Sequence, residues 1–299
     1  MIVYRNYDLS GITRWKVGGT VSYYITVDNI VELRRAIVFA EVESLNYLVV
    51  GNTTNLLFSS NRIEGVLIRL VGEFSSIYFN GESCTAGASV FVPKLALNCA
   101  RRGLSGIEHT VGIPASLGGL IVMNGGSQRK SISERIVSVR SVTGDGQVVE
   151  RLVEDCDFSY RESIYKYNSE IVISCDLKLQ KSTVAEVRSE MLAILRSRRK
   201  KFPLKQPNCG SVFKSSPELY ASYGPPGFVI ESCGLKGLVN GRAQISEFHA
   251  NFIVNLGGST DQDILELISL CQKRVRDKTG IEMIPEVRYV NEDLTISNL

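Results

Sequence analysis

Two glycine-bearing turns constrain this chain more than any other feature. The first, GNTTNLL (51–57), issues directly from a short apolar strand, YLVV (47–50). The second, GIPASLGG (112–119), lies about sixty residues further on and is followed closely by MNGG (123–126). Successive backbone amides in such turns converge on one point, and Asn and Thr side chains add donors, which suits a phosphate. Gly118 and Gly119 remove side chains where a ligand or another backbone can approach. Two such turns suit a ligand with two phosphates better than either does singly. Tight packing between strands accounts for the same glycines equally well. The pattern is not GxGxxG, so a Rossmann dinucleotide site is not indicated.

Around these turns the first hundred residues alternate strands and helices, an α/β arrangement. VSYYITV (21–27) and VLIRL (66–70) read as strands. Asn29 with Glu32 forms a capping-box start for a helix whose apolar face is Ile30, Leu33, Ile37 and Ala40. A further helix has Pro93 near its first position and Gly103 beyond its end. The middle is richer in strands. IVSVRSV (136–142), TGDG (143–146) and QVVERL (147–152) predict a hairpin, and Ile171, Ile173, Cys175, Leu177 and Leu179 alternate as a half-buried strand does. Thr183 with Glu186 opens a helix carrying Val184, Val187, Met191 and Ile194 on one face. A domain boundary is expected near 180–186. A last helix is expected from about Thr260 to Lys278, with Gly280 as its stop.

Composition narrows the function classes. At 299 residues the chain has about two domains' worth of length, and 44% apolar with 22% charged residues fits a soluble globular protein. The formal charge of +3 is too small to argue for a nucleic-acid or membrane surface. No apolar run nears the ~18 residues of a membrane span, and the start lacks the apolar stretch of a signal peptide. Seven scattered cysteines without a CxxC pair, and only two histidines, point away from disulfides and metal sites and toward a reducing cytoplasm.

Several residues invite a functional reading and also have a plainer one. Arg196, Arg198, Arg199, Lys200, Lys201 and Lys205 form a basic stretch, but they fall at a helix C-terminus where cations complement the dipole, and no aromatic residues interleave. The plainer reading is a solvated helix end. His109 and His249 each stand alone among apolar neighbours and are read as structural. Spacing alone does not single out Ser211, Arg161 or Glu286.

Eight motifs in register change that. TRWKVGG (13–19), GNTTNLL (51–57), GLSGIEHTVGIPASLGGLIVMN (103–124), YRES (160–163), NCGSVFK (208–214), GLKG (234–237), AQISEFHANFIVN (243–255) and PEVR (285–288) occur in this order. The chain resembles the UDP-N-acetylenolpyruvoylglucosamine reductase family over about residues 8 to 290, in its shorter subtype. The resemblance implies an α+β chain. Its first part would be a two-lobed FAD-binding domain of the vanillyl-alcohol-oxidase type over 1–182, with lobes near 1–70 and 71–182. A smaller α+β substrate domain over 183–299 would follow, its final segment returning to the flavin.

The resemblance further implies reduction of UDP-N-acetylenolpyruvoylglucosamine to UDP-N-acetylmuramate in peptidoglycan precursor synthesis, with NADPH as reductant. The proton donor would be Ser211, with Arg161 and Glu286 stabilising the enolic intermediate and Lys214 contacting substrate. FAD would be held by Gly51, Asn52, Thr53, Thr54, Asn55 and Leu56 of the first turn. Gly112, Ile113, Ser116, Gly118, Gly119 and Asn124 would hold it from the second, and the Val172 backbone would touch the flavin. GNTTNLL has no histidine, so the cofactor is expected to be non-covalent. No metal, nucleic acid or membrane partner is implied. Three positions depart from the family's pattern: Ala115 replaces a glycine, GGSQRKS (125–131) replaces an alanine-tyrosine-glycine stretch, and Val239 replaces an arginine. Rival readings are a related flavin reductase acting on another unsaturated acid or sugar nucleotide, and a flavin-binding scaffold without turnover.

Overall fold

Asn29 accepts a hydrogen bond from the Glu32 amide and starts the helix Ile30–Val42 in the computed structural model, which describes residues 1–299. Local signals of this kind place most elements where the sequence puts them. The helix Val92–Ala100 has a proline in its first turn, and Gly103 beyond it takes a left-handed φ of +63°. The helix Asp261–Thr279 has a Thr260–Asp263 capping box and ends at Gly280 with φ +73°. Val187, Met191 and Ile194 are buried along the helix Val184–Lys201. Val184, expected on the same face, is exposed at the helix's first position.

Contacts divide the chain into two compact units, and no single cut near residue 182 separates them. One unit comprises 1–3, 25–52 and 67–198; the other comprises 4–24, 53–66 and 199–299. The expected stretch 1–182 is therefore not one contiguous unit. Trp15 gives the physical reason. It is fully buried in the core formed with Val212, Phe213, Ile253 and Met283, and its indole donates to the Ile253 carbonyl at 2.8 Å. The Asn255 amide returns a bond to the Trp15 carbonyl at 2.9 Å.

The first unit is built on a five-stranded sheet in the order 148–152, 136–142, 171–178, 83–87, 77–80, with antiparallel neighbours throughout. The hairpin Ile136–Val142 with Val148–Leu152 forms as its turn residues predict. The helix Val184–Lys201 stays with this unit through most of its length. The Ser182 amide donates to the Gly103 carbonyl, and Lys130 lies 3.7 Å from Glu190.

The second unit buries the apolar stripe Ile264, Leu267, Ile268, Cys271 and Val275 of its long helix. That stripe belongs to one core with the sheet Val239–Asn240, Ala243–Ile245, Ile253–Asn255. A small sheet beside it pairs Leu56–Phe58 in parallel with Arg288–Val290. A four-stranded sheet in the order 2–8, 20–27, 63–70, 47–50 completes the main topology. No helix is long and apolar enough to cross a membrane.

Candidate active site

Within the first unit the two glycine segments meet. A Cβ on Gly51 would lie 1.8 Å from the Ser116 hydroxyl, so only glycine lets them touch. The Asn52 amide donates to the Pro114 carbonyl at 3.1 Å. Ser116 caps the short helix Leu117–Val122 and accepts the Gly119 amide. The two glycines of that helix have different reasons to be there. A Cβ on Gly118 would press on Ala88 at 3.0 Å, a packing constraint, whereas one on Gly119 would meet only the Ser116 hydroxyl at 3.3 Å and otherwise open space. Ala115 has no positive φ, so its methyl costs no backbone strain.

Gly112 answers to a different neighbour. A Cβ there would lie 2.3 Å from the Arg198 side chain. Arg198, read from sequence as part of a solvated helix end, instead packs against the second glycine segment, and burial pulls its pKa down. Ile113 donates to the Thr110 carbonyl within the preceding turn. The strand Ile171–Lys178 carries Val172, buried and opposite Ser141. Its neighbour Ser83–Gly87 reaches only to Ser174, so the backbone edge at Val172 extends past that strand on one side.

Arg161 stands in a turn closed by the Ser159–Glu162 bridge, at a left-handed φ of +62°. Two bonds fix this turn to the end of the 117–122 helix. Ser163 Oγ donates to the Val122 carbonyl at 2.7 Å, and the Asn124 amide donates to the Ser159 carbonyl at 2.8 Å. Asn124 Oδ1 also accepts the Ser133 amide, so both ends of a side chain expected at the cofactor are bound by the protein. Lys166 Nζ donates to the Arg161 carbonyl, and the Arg161 guanidinium lies over the Tyr160 ring.

The second unit brings the remaining residues together. Ser211 begins a short extended run that bridges Pro285 through Phe213. The Glu286 amide donates to the Val212 carbonyl at 2.7 Å, and the Lys214 amide donates to the Ile284 carbonyl at 2.9 Å. Ser211, Lys214 and Glu286 thus belong to adjacent extended segments. The first turn reaches the same place. Asn55 Nδ2 donates to the Glu286 carbonyl at 2.9 Å, and the Arg288 amide donates to the Asn55 carbonyl. Thr53, buried at φ +52°, accepts the Arg14 amide on its hydroxyl, and the Cys209 thiol donates to its carbonyl. Thr54 and Leu56 continue the turn into the strand beside Arg288–Val290.

Both histidines are built into the protein. His249 packs over Gly227 and against Phe202 and Phe252, and its Nδ1 accepts the Asn251 amide; burial lowers its pKa. His109 is fully buried, and burial pushes its pKa down to about 4.

The comparisons decide the family. Residues 202–290 match the family described as UDP-N-acetylenolpyruvoylglucosamine reductase, C-terminal domain, and residues 21–151 match an FAD binding domain. UDP-N-acetylenolpyruvoylglucosamine reductase 1 of Corynebacterium glutamicum is 41% identical, over 95% of this chain and 84% of its own length. The chain belongs to the UDP-N-acetylenolpyruvoylglucosamine reductase family. The enzyme of that name from Rubrobacter xylanophilus is 36% identical over 94% of this chain and 92% of its own. The crystal structure of UDP-N-acetylenolpyruvylglucosamine reductase from Thermus caldophilus superposes with a TM-score of 0.83 at 33% identity, covering 97% and 99% of the two chains. The α+β fold with an FAD-binding part is that of this reductase family.

The residues of this family member fit the cofactor. Gly51 and Ser116 close two glycine segments on one another, and Gly119 faces open space beside the Ser116 hydroxyl. Ser89 adds a signal that the sequence lacked. Its hydroxyl is buried without a partner, between Ala88 and Val90, whose carbonyls hold the Gly118 and Leu117 amides. An isolated serine in ASVF gives no hint of that from sequence.

Proposed function

We propose that the chain reduces UDP-N-acetylenolpyruvoylglucosamine to UDP-N-acetylmuramate, with NADPH as reductant and FAD held without a covalent bond. When bound, FAD supplies the two-electron chemistry, accepting from NADPH and delivering to the methylene carbon of the enol ether. The protein's own residues handle charge and protons. Addition at the methylene pushes negative charge toward the substrate carboxylate, where the Arg161 cation stabilises it. Ser211 Oγ donates the proton to the neighbouring carbon. Glu286 stands as a hydrogen-bond partner for the same enolic group. Lys214 offers a cation to the diphosphate or carboxylate of the substrate.

The observation that carries this reading is the Ser211–Glu286 juxtaposition: Glu286 is bonded through its amide to the residue after Ser211, at 2.7 Å. Two stretches about seventy-five residues apart in sequence are thereby brought to one point in a member of this reductase family. Gly51, Asn52 and the 112–119 segment, with Thr53 to Leu56, Asn124 and the Val172 edge, form the cofactor's surroundings in this proposal. The seven cysteines are all free thiols, which accords with work in the cytoplasm on a small-molecule substrate.

The test is anaerobic. NADPH added to the purified yellow protein bleaches the flavin absorbance, and the enolpyruvyl sugar nucleotide then restores it. Bleaching without recovery on that compound would assign the chain a different substrate. Absence of bound flavin would overturn the reading altogether.

A further inference from the structure

Asn251 lies outside every group assigned above to substrate or cofactor, yet it is turned wholly toward the Ser211 segment. It is 5% exposed. Its Oδ1 accepts the Phe213 amide at 2.9 Å, and its Nδ2 donates to the Phe213 carbonyl at 3.0 Å. Its backbone carbonyl accepts the Val212 amide at 2.8 Å. On the opposite side the Val212 carbonyl takes the Glu286 amide and Lys214 pairs with Ile284. The 211–214 run therefore has a strand-like partner on one flank only. On the other flank one residue serves it, Asn251, whose side chain supplies Phe213 with the donor and acceptor that a neighbouring strand would otherwise present and whose carbonyl takes the Val212 amide. Asn251 is itself fixed, since its amide donates to His249 Nδ1 at 3.2 Å and that ring is packed on Gly227.

We infer that Asn251 is a positioning residue, setting where the Ser211 hydroxyl and the Glu286 carboxyl stand for proton delivery. The inference rests on the proposed role of Ser211. The energetics favour a specific role. Truncating Asn251 leaves the Phe213 amide and carbonyl buried with one bond each removed, so the run shifts to find partners. A proton donor displaced by about 1 Å loses roughly a hundredfold in rate. Asparagine is the side chain that fits. Aspartate keeps the acceptor for the Phe213 amide but sets a charge against the Phe213 carbonyl.

The experiment is a double-mutant cycle on flavin-loaded protein, using Ser211→Ala, Asn251→Ala and both together. In Asn251→Ala, recovery of flavin absorbance on adding the enolpyruvyl sugar nucleotide slows by roughly ten- to a hundredfold. Bleaching by NADPH, which needs no proton from Ser211, stays within about twofold of wild type. The double variant recovers no more slowly than Ser211→Ala alone, because a residue that acts through Ser211 has nothing left to position. Hydrogen exchange adds a readout independent of turnover. The Val212, Phe213 and Glu286 amides exchange faster in Asn251→Ala, while those of the strand Ile171–Lys178 do not change. Should Asn251→Ala fail to fold, the same cycle with Asn251→Asp applies and carries the same expectations.

Losses that multiply in the double variant, or equal slowing of bleaching and recovery, would overturn the inference while leaving Ser211 as the donor. Normal recovery in Ser211→Ala itself would overturn both this inference and the reading on which it rests.

Discussion

Arg161 is held at φ +62°, a left-handed conformation that costs a side chain about 1–3 kcal/mol and persists only where its surroundings impose it. The Ser163, Asn124 and Lys166 bonds impose it here. Arg161→Gly therefore separates strain from function: the variant melts at a higher temperature than wild type yet fails to restore flavin absorbance on substrate. Arg161→Lys keeps the charge but loses the planar fork, so it slows recovery on substrate far more than bleaching by NADPH. Stopped-flow traces of the two half-reactions check this, and equal slowing would mean that Arg161 mainly shapes the flavin pocket. His109 makes a separate, acid-side prediction. Neither of its ring nitrogens has a hydrogen-bond partner, and burial pushes its pKa down to about 4 despite Glu134 and Glu108 nearby. Lys130 and Arg135 also face it and reinforce the neutral form. The unfolded chain takes up this proton near pH 6.5, while the folded chain resists until about 4. The neutral form's contribution is thus intact above pH 6.5 and is lost as pH falls toward 4, on the order of 3 kcal/mol in all. His109→Phe melts with a smaller loss between pH 7 and 5 than wild type does; identical losses would exclude His109 as the titrating group.

Among the elements, the 125–131 stretch shows what replaces the family's usual sequence. Gly126–Ser127 and Lys130–Ser131 pair as a tiny hairpin whose two turn residues, Gln128 and Arg129, have φ of +57° and +62°. Turns of that geometry favour Asn-Gly. Arg129→Gly is expected to stabilise the protein by about 1 kcal/mol, read as a rise in melting temperature. The Ser127 hydroxyl ties this hairpin to the His109 carbonyl at 2.5 Å. The second glycine segment makes a further prediction. Gly119 faces open space, so Gly119→Val folds but purifies with little FAD; normal flavin occupancy would give that glycine a packing role only. Helices and hairpins of this kind were legible in sequence because caps, turn residues and periodicity are local. Other features were not, because distant partners create them. Nothing in TRWKVGG says that Trp15 donates to Ile253, and a run of cations hides the one, Arg198, that packs on Gly112. Asn124 and Asn55 were expected at the cofactor from their motifs; that their amides hold the Ser159 and Glu286 carbonyls emerges only from the fold.

For the whole molecule, the chain gathers its chemistry from separated stretches. Within one unit, TTN of the first turn, CGSVF, HANF and PEVR converge through hydrogen bonds at Asn55, Val212, Asn251 and Glu286. Within the other, the two glycine segments close on each other and their helix end holds the Arg161 turn. In the proposed function electron delivery and proton delivery are separable, since NADPH acts on the cofactor before the substrate requires a proton. Stopped-flow absorbance of flavin-loaded Ser211→Ala, mixed anaerobically first with NADPH and then with the enolpyruvyl sugar nucleotide, tests that separation most directly. The expected result is bleaching at the wild-type rate and recovery slowed on the order of a hundred- to ten-thousandfold, with Ser211→Cys regaining part of the loss. Recovery at the wild-type rate in Ser211→Ala would contradict the assignment of Ser211 as the proton donor.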